Sequence, residues 1–168
     1  ITLHIDDEQV EFCCVLHDQK ACTAQSFLDA SLSRRAGEKN QALIKACNNK
    51  KRDIKTVLDL TAGWGKDSYI LAAQGQRIIM LEQNPLIFHT LNYLLSIARD
   101  NSSEERFKRL TAVHANSLDY LNRPNAPDAD CLYLDPMFPS HKSGARPSKD
   151  LQILQLLTVN QDIAGLFE

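Results

Sequence analysis

The chain has 168 residues, 43% apolar and 24% charged, with a net charge of -2, an ordinary globular composition with room for one substantial core. No run approaches the roughly 18 to 20 apolar residues that cross a bilayer, and no charged-then-apolar leader opens the chain, so a soluble protein without membrane partners is expected. Five cysteines include the adjacent pair Cys13-Cys14 and no C-x-x-C, which argues against a disulfide framework or a zinc knuckle and for thiols in a cytoplasmic protein.

Residues 1–30 form a small strand-rich lead-in. Ile1 to Ile5 and Val10 to Leu16 read as short strands about the acidic turn Asp6-Asp7-Glu8. This part is acidic, with Asp6, Asp7, Glu8, Glu11, Asp18 and Asp29 against Lys20. Residues 31–55 reverse the sign and read as a basic helical linker carrying Arg34, Arg35, Lys39, Lys45, Lys50, Lys51, Arg52 and Lys55. Such a stretch fits a phosphate-backbone partner or a solvated helix face. Within it, residues 38–48 form a helix that buries Leu43, Ala46 and Cys47.

From residue 56 the pattern becomes regular. Thr56 to Leu60, Arg77 to Leu81, Leu110 to His114 and Cys131 to Leu134 are four strand candidates separated by segments that suit crossover helices. The expected fold is α/β, a doubly wound, mostly parallel Rossmann-like sheet. If its order is third, second, first, fourth, ligands gather where the winding reverses. Asn84 followed by Pro85 starts a helix, and Ile87, Leu91, Leu94, Leu95 and Ala98 form its sheet-facing side until Asn101-Ser102-Ser103. Arg123 to Asp130 is a loop. Ser140 to Lys149 is polar, with Lys142, Arg146 and Lys149 as further phosphate candidates, and Leu151 to Leu157 begins another helix. Four strands are few for this architecture, so further C-terminal strands are expected beyond it, and the domain of residues 56–168 is read as incomplete.

Two strand ends carry the chemistry. After the first strand, Asp59-Leu60-Thr61-Ala62-Gly63-Trp64-Gly65-Lys66-Asp67 places Gly63 and Gly65 where a side chain would block a ligand's approach to backbone N–H groups. There is no third glycine at the spacing a dinucleotide site uses. Glu82, at the end of the second strand, stands at about the spacing from which a carboxylate reaches ribose hydroxyls. Asp59 can orient the amino group of an amino-acid-like ligand. Asp67 can bind the same group or favour the helix dipole. Asn116 and Ser117 offer groups for an adenine edge or for a helix cap, and Trp64 is either a cofactor wall or packing. His17, His89 and His114 lack metal-ligand spacing, so no metal is expected. After the fourth strand, Asp135-Pro136-Met137-Phe138-Pro139 presents a carboxylate, a rigid turn and an aromatic ring. Together they can grip a planar group bearing an amino nitrogen.

D-x-T-A-G-x-G, M-L-E, H-A-x-S and Y-L-D-P-M-F-P, spread over residues 56–142, resemble the ribosomal small-subunit RNA methyltransferase J family. The resemblance implies an S-adenosylmethionine-dependent enzyme that methylates the exocyclic amine of a guanine in small-subunit ribosomal RNA, free or in the assembled subunit. It also implies cofactor contacts at Lys66, Asp67, Glu82, Gln83, Asn116, Ser117 and Asp135. Lys66 and Gln83 stand where that family commonly has arginine, and Asn116 where it has serine. On this reading Asp135 and the Pro136 carbonyl accept the amine's N–H bonds while Phe138 stacks on a base that is unpaired or flipped out. Competing readings are a DNA adenine or protein glutamine amino-methyltransferase, a nicotinamide-dependent oxidoreductase, and a non-catalytic RNA-binding module.

Overall fold

The computed structural model describes residues 2–5, 10–16, 19–25, 30–37, 42–48, 53–135 and 149–158. Three strands, β1 (Thr2–Ile5), β2 (Val10–Leu16) and β3 (Gln19–Gln25), form an antiparallel meander. The third was not anticipated: its polar sequence has no apolar alternation of its own, and its place follows from pairing with β2 along the whole strand. Cys13 is disulfide-bonded, which corrects the reading of every cysteine as a thiol. Its register partner across the hairpin is Cys22, whereas Cys47 and Cys131 are free.

Two helices follow, α1 (Ala30–Gly37) and α2 (Ala42–Cys47). α1 falls in the stretch 31–55 read as a basic helical linker, where only residues 38–48 were assigned to a particular helix. In α2 the buried residues are Ile44 and Cys47, while Leu43 is half-buried and Ala46 exposed, a rotation from the expected face. Most of the 34–55 cations beyond Lys45 fall outside the described residues, as do Asp6 to Glu8, His17 and Asp29.

The second sheet is the one the spacing predicts. β4 (Thr56–Asp59), β5 (Arg77–Glu82), β6 (Leu110–His114) and β7 (Cys131–Tyr133) are all parallel, in the order β6-β5-β4-β7. The chain steps outward from β4 to β6, then crosses back to β7 on the other side of β4, so the winding reverses between β4 and β7. Central strands of such a sheet are buried on both faces. Val57, Ile78 and Met80 join one apolar cluster while Leu58, Ile79 and Leu81 join the other, as the two-residue side-chain period requires. Leu132 of β7 shares the second face and is 56% exposed.

The crossovers are α3 (Lys66–Ala72), α4 (Pro85–Asn101), the short α5 (Glu105–Lys108) and α6 (Ser117–Leu121), with α7 (Lys149–Leu157) after β7. α4 starts as expected. The Asn84 side chain accepts from the N–H groups of Leu86 and Ile87, Pro85 occupies the first turn, and Ile87, Leu91, Leu94, Leu95 and Ala98 are buried. The first apolar cluster is continuous from the meander to the sheet: Val10 and Phe12 share it with Leu32, Ile44, Val57, Trp64 and Leu154. Phe12 packs on Trp64 with ring centroids 4.8 Å apart.

Candidate active site

The turn from β4 into α3 is held on three sides. Leu60 N–H donates to the Tyr133 carbonyl at 2.9 Å, Ala62 N–H to the Leu81 carbonyl at 3.1 Å, and Gly65 N–H to the Ala62 carbonyl at 2.8 Å. Gly63 and Gly65 have φ of 51° and 70°, the left-handed region that glycine enters without steric penalty. A Cβ on Gly63 would also stand 3.2 Å from Leu154 Cδ2. The glycines therefore serve backbone shape and close approach together.

Asp59 folds back under this turn. Its Oδ1 accepts from Thr61 N–H at 3.1 Å and its Oδ2 from Ser68 Oγ–H at 2.6 Å, with the residue 1% exposed. Burial pushes the carboxyl up to about 7, the two hydrogen bonds pull it down, and Asp67 and Glu82 add negative charge nearby. Glu82 ties the turn to β5: Oε2 accepts from Gly63 N–H at 3.1 Å and Oε1 from Asn84 N–H at 2.7 Å. Burial raises its carboxyl as well, against those same N–H donors.

A cavity of about 260 Å³ opens beside the turn, lined by Arg35, Asp59, Thr61, Ala62, Gly63, Trp64, Lys66, Asp67, Tyr133, Asp135, Leu151 and Leu154. The two motifs meet here. Asp135 N–H donates to Thr61 Oγ1 at 2.9 Å, which fastens the end of β7 to the glycine turn. Tyr133 Oη–H donates to Asp67 Oδ2 at 2.8 Å, joining β7 to the first turn of α3. Partial desolvation and the neighbouring Asp67 raise the Asp135 carboxyl. Burial and Asp67 together push the Tyr133 hydroxyl well above its ordinary value.

Glu82, Gln83, Asn116 and Ser117 form a second group along the ends of β5 and β6. Asn116 Nδ2–H donates to Gln83 Oε1 at 2.7 Å, and its Oδ1 caps α6 by accepting from Leu118 and Asp119 N–H groups at 2.9 and 3.2 Å. His114 Nε2–H donates to the Gln83 carbonyl at 3.0 Å. Ser117 Oγ–H donates to the Leu60 carbonyl. Glu82 links this group to the cavity through Gly63. Trp64 both lines the cavity and packs on Phe12. Pro136, Phe138, Lys142 and Arg146 lie outside the described residues.

Six cavity residues carry no site role in the sequence reading, Ala62 of the glycine turn among them. Thr61 and Tyr133 lay inside the quoted motifs, and their partners were the missing information. Arg35 had been grouped with the phosphate candidates, while Leu151 and Leu154 were legible only as a helix face.

Residues 1–168 match the family described as "Putative SAM-dependent methyltransferase". A protein of Legionella pneumophila named Ribosomal RNA small subunit methyltransferase J is 38% identical over 145 residues, covering 84% of this chain and 58% of that protein. Proteins of the same name from Francisella tularensis subsp. novicida and Buchnera aphidicola are 30% and 37% identical, over 83% and 74% of this chain and 58% and 51% of theirs. The chain thus spans a little over half the length of these relatives. Among solved structures, an S-adenosylmethionine-dependent methyltransferase from Neisseria gonorrhoeae superposes with a TM-score of 0.57 at 22% identity, over 80% of this chain and 60% of that one. That likeness shows the fold.

Proposed function

Because the chain belongs to the S-adenosylmethionine-dependent methyltransferase family that it shares with the ribosomal RNA small subunit methyltransferases J, we propose that it methylates the exocyclic amine of a guanine in small-subunit ribosomal RNA. The residues present fit the cofactor. Gly63 keeps the turn open where a side chain would meet Leu154, and carboxylates at Asp59 and Asp67 beside cations at Lys66 and Arg35 suit an amino-acid end that carries both charges. At about 260 Å³ the cavity falls below the ~300 to 1,000 Å³ of clefts that enclose whole drug-sized ligands. It is sized for one end of the cofactor, and we assign the adenosine end to Glu82, Gln83, Asn116 and Ser117. When bound, the cofactor supplies an electrophilic methyl group on a sulfonium.

The observation that carries the reading is the Asp135 N–H bond to Thr61, which sets the Asp135 carboxylate on the rim of the cavity that Asp59 and Asp67 line. A guanine amine is a weak nucleophile because its lone pair is delocalised into the ring. Asp135 accepts one of its N–H bonds, draws the nitrogen toward a tetrahedral form and aims the lone pair at the methyl carbon. The Asp135 carboxyl, raised by partial desolvation and by Asp67, then takes the proton that the nitrogen sheds. Pro136 and Phe138 complete the acceptor side on sequence grounds alone.

The test is transfer of labelled methyl groups onto small ribosomal subunits, and onto their naked RNA, from cells lacking the gene, followed by nucleoside analysis. Labelled N2-methylguanosine is expected. Label confined to DNA adenine or protein glutamine, or RNA binding without any transfer, would overturn the assignment.

A further inference from the structure

We propose that Arg35, on the helix preceding the sheet domain, binds the α-carboxylate of the cofactor, so that the cofactor site is completed by the N-terminal part of the chain. The inference rests on the cofactor and is independent of which nucleic acid accepts the methyl group. The cavity is lined by three acidic residues, Asp59, Asp67 and Asp135, of which the buried Asp59 is bonded to Thr61 and Ser68, and by two cations, Arg35 and Lys66. An amino-acid end brings an ammonium and a carboxylate together. The aspartates provide for the first, and the second needs a cation placed at the same cavity.

Arg35 is carried to the cavity by α1. Ser33 Oγ and Tyr69 Oη are 3.1 Å apart, and Gln74 Nε2–H donates to the Ala36 carbonyl at 2.7 Å. Ascending positions on α1 therefore meet ascending positions in α3 and just past its end, so α1 runs along α3 in the same sense. Side chains on a helix lean toward its N-terminus, so the Arg35 stem leans toward the end of α3 where Gly63 to Asp67 form the turn. Leu32 and Ala36, one helical turn apart, are buried in the main core and fix α1 in place. A guanidinium also matches a carboxylate with two parallel N–H bonds, which a lysine ammonium cannot do.

The neighbours decide between this role and an RNA phosphate. A phosphodiester entering the cavity would meet Arg35 and Lys66 but would also bring a second negative group against Asp59, Asp67 and Asp135, without an ammonium of its own. A zwitterion brings its own ammonium to those carboxylates. Arg35 is thereby separated from the rest of the basic stretch.

Isothermal titration of wild-type, Arg35→Ala and Arg35→Lys protein with S-adenosylhomocysteine and with 5′-methylthioadenosine tests this, because the second ligand keeps the nucleoside and sulfur but lacks the amino-acid group. Arg35→Ala is expected to weaken S-adenosylhomocysteine about 10- to 100-fold and to leave 5′-methylthioadenosine within about twofold, with Arg35→Lys between. Equal weakening of both ligands would show a structural role for α1 and overturn the inference. So would an unchanged S-adenosylhomocysteine affinity accompanied by a shallower salt dependence of RNA binding. Wild-type protein that binds neither ligand would overturn the cofactor reading, and this inference with it.

Discussion

Replacing Asp59 with Asn should make the protein more stable above neutral pH, and the size of the gain follows from where the carboxyl sits. Asp59 is 1% exposed and its carboxyl is pushed up to about 7 from 3.8. Between those values the folded chain keeps a proton that the unfolded chain releases. This group's contribution is therefore most favourable below about pH 4, falls as pH rises toward 7, and is level above that. Three pH units at about 1.4 kcal/mol each amount to about 4 kcal/mol at pH 8. Asn has the same outline and does not ionise. It can still accept from Thr61 N–H, while the Ser68 hydroxyl turns to accept from the amide. From pH 5 to pH 8 the stability gap between variant and wild type should widen by about 2 to 3 kcal/mol, or roughly 5 to 10 °C for a chain of this length. Ligand-free thermal melts across that range measure it, since the titrations common to both proteins cancel in the difference. A gap that stays constant with pH, or a variant equally destabilised throughout, would mean that Asp59 does not hold the extra proton.

Asp135→Ala should abolish methyl transfer yet leave S-adenosylhomocysteine affinity within about tenfold, because its backbone N–H still reaches Thr61; single-turnover assays beside titrations separate the two, and near-normal turnover would refute its role at the acceptor. Asn84→Ala removes the side chain that caps α4 and donates to the Leu157 carbonyl at 2.6 Å, and should lower stability by about 1 to 2 kcal/mol in urea melts; an unchanged midpoint would contradict the capping assignment. RNA affinity measured by filter binding should fall steeply between 50 and 200 mM salt, through the cations of residues 34–55 and 142–149, and a flat response would remove the basic surface from the proposal.

What the sequence made legible was whatever depends on local periodicity. The unbroken apolar runs Val57-Leu58 and Ile78 to Leu81 mark buried strands, Asn84-Pro85 marks a helix start, and even spacing of strand and crossover predicts a parallel sheet, whose order β6-β5-β4-β7 is the one on which the two motifs become neighbours. The meeting of the glycine turn with Asp135 follows from that order. What stayed hidden depends on partners far along the chain. β3 is a strand because β2 lies beside it, and α2 buries Ile44 rather than Ala46 because the neighbouring core, not its own six residues, sets its rotation. The Tyr133 bond to Asp67 spans 66 positions, and nothing in either residue's neighbourhood announces it. Arg35 was visible as a charge, but its place beside three aspartates is a consequence of how α1 lies along α3.

The contact of Phe12 with Trp64 sets a rule for anyone who trims or grafts this protein. Removing the amino-terminal hairpin would uncover the face of the indole that Phe12 covers, and the bend that carries it would lose its backing. On the proposed function, a version trimmed of β1 to β3 should bind the cofactor poorly even with Arg35 and the three cavity aspartates in place.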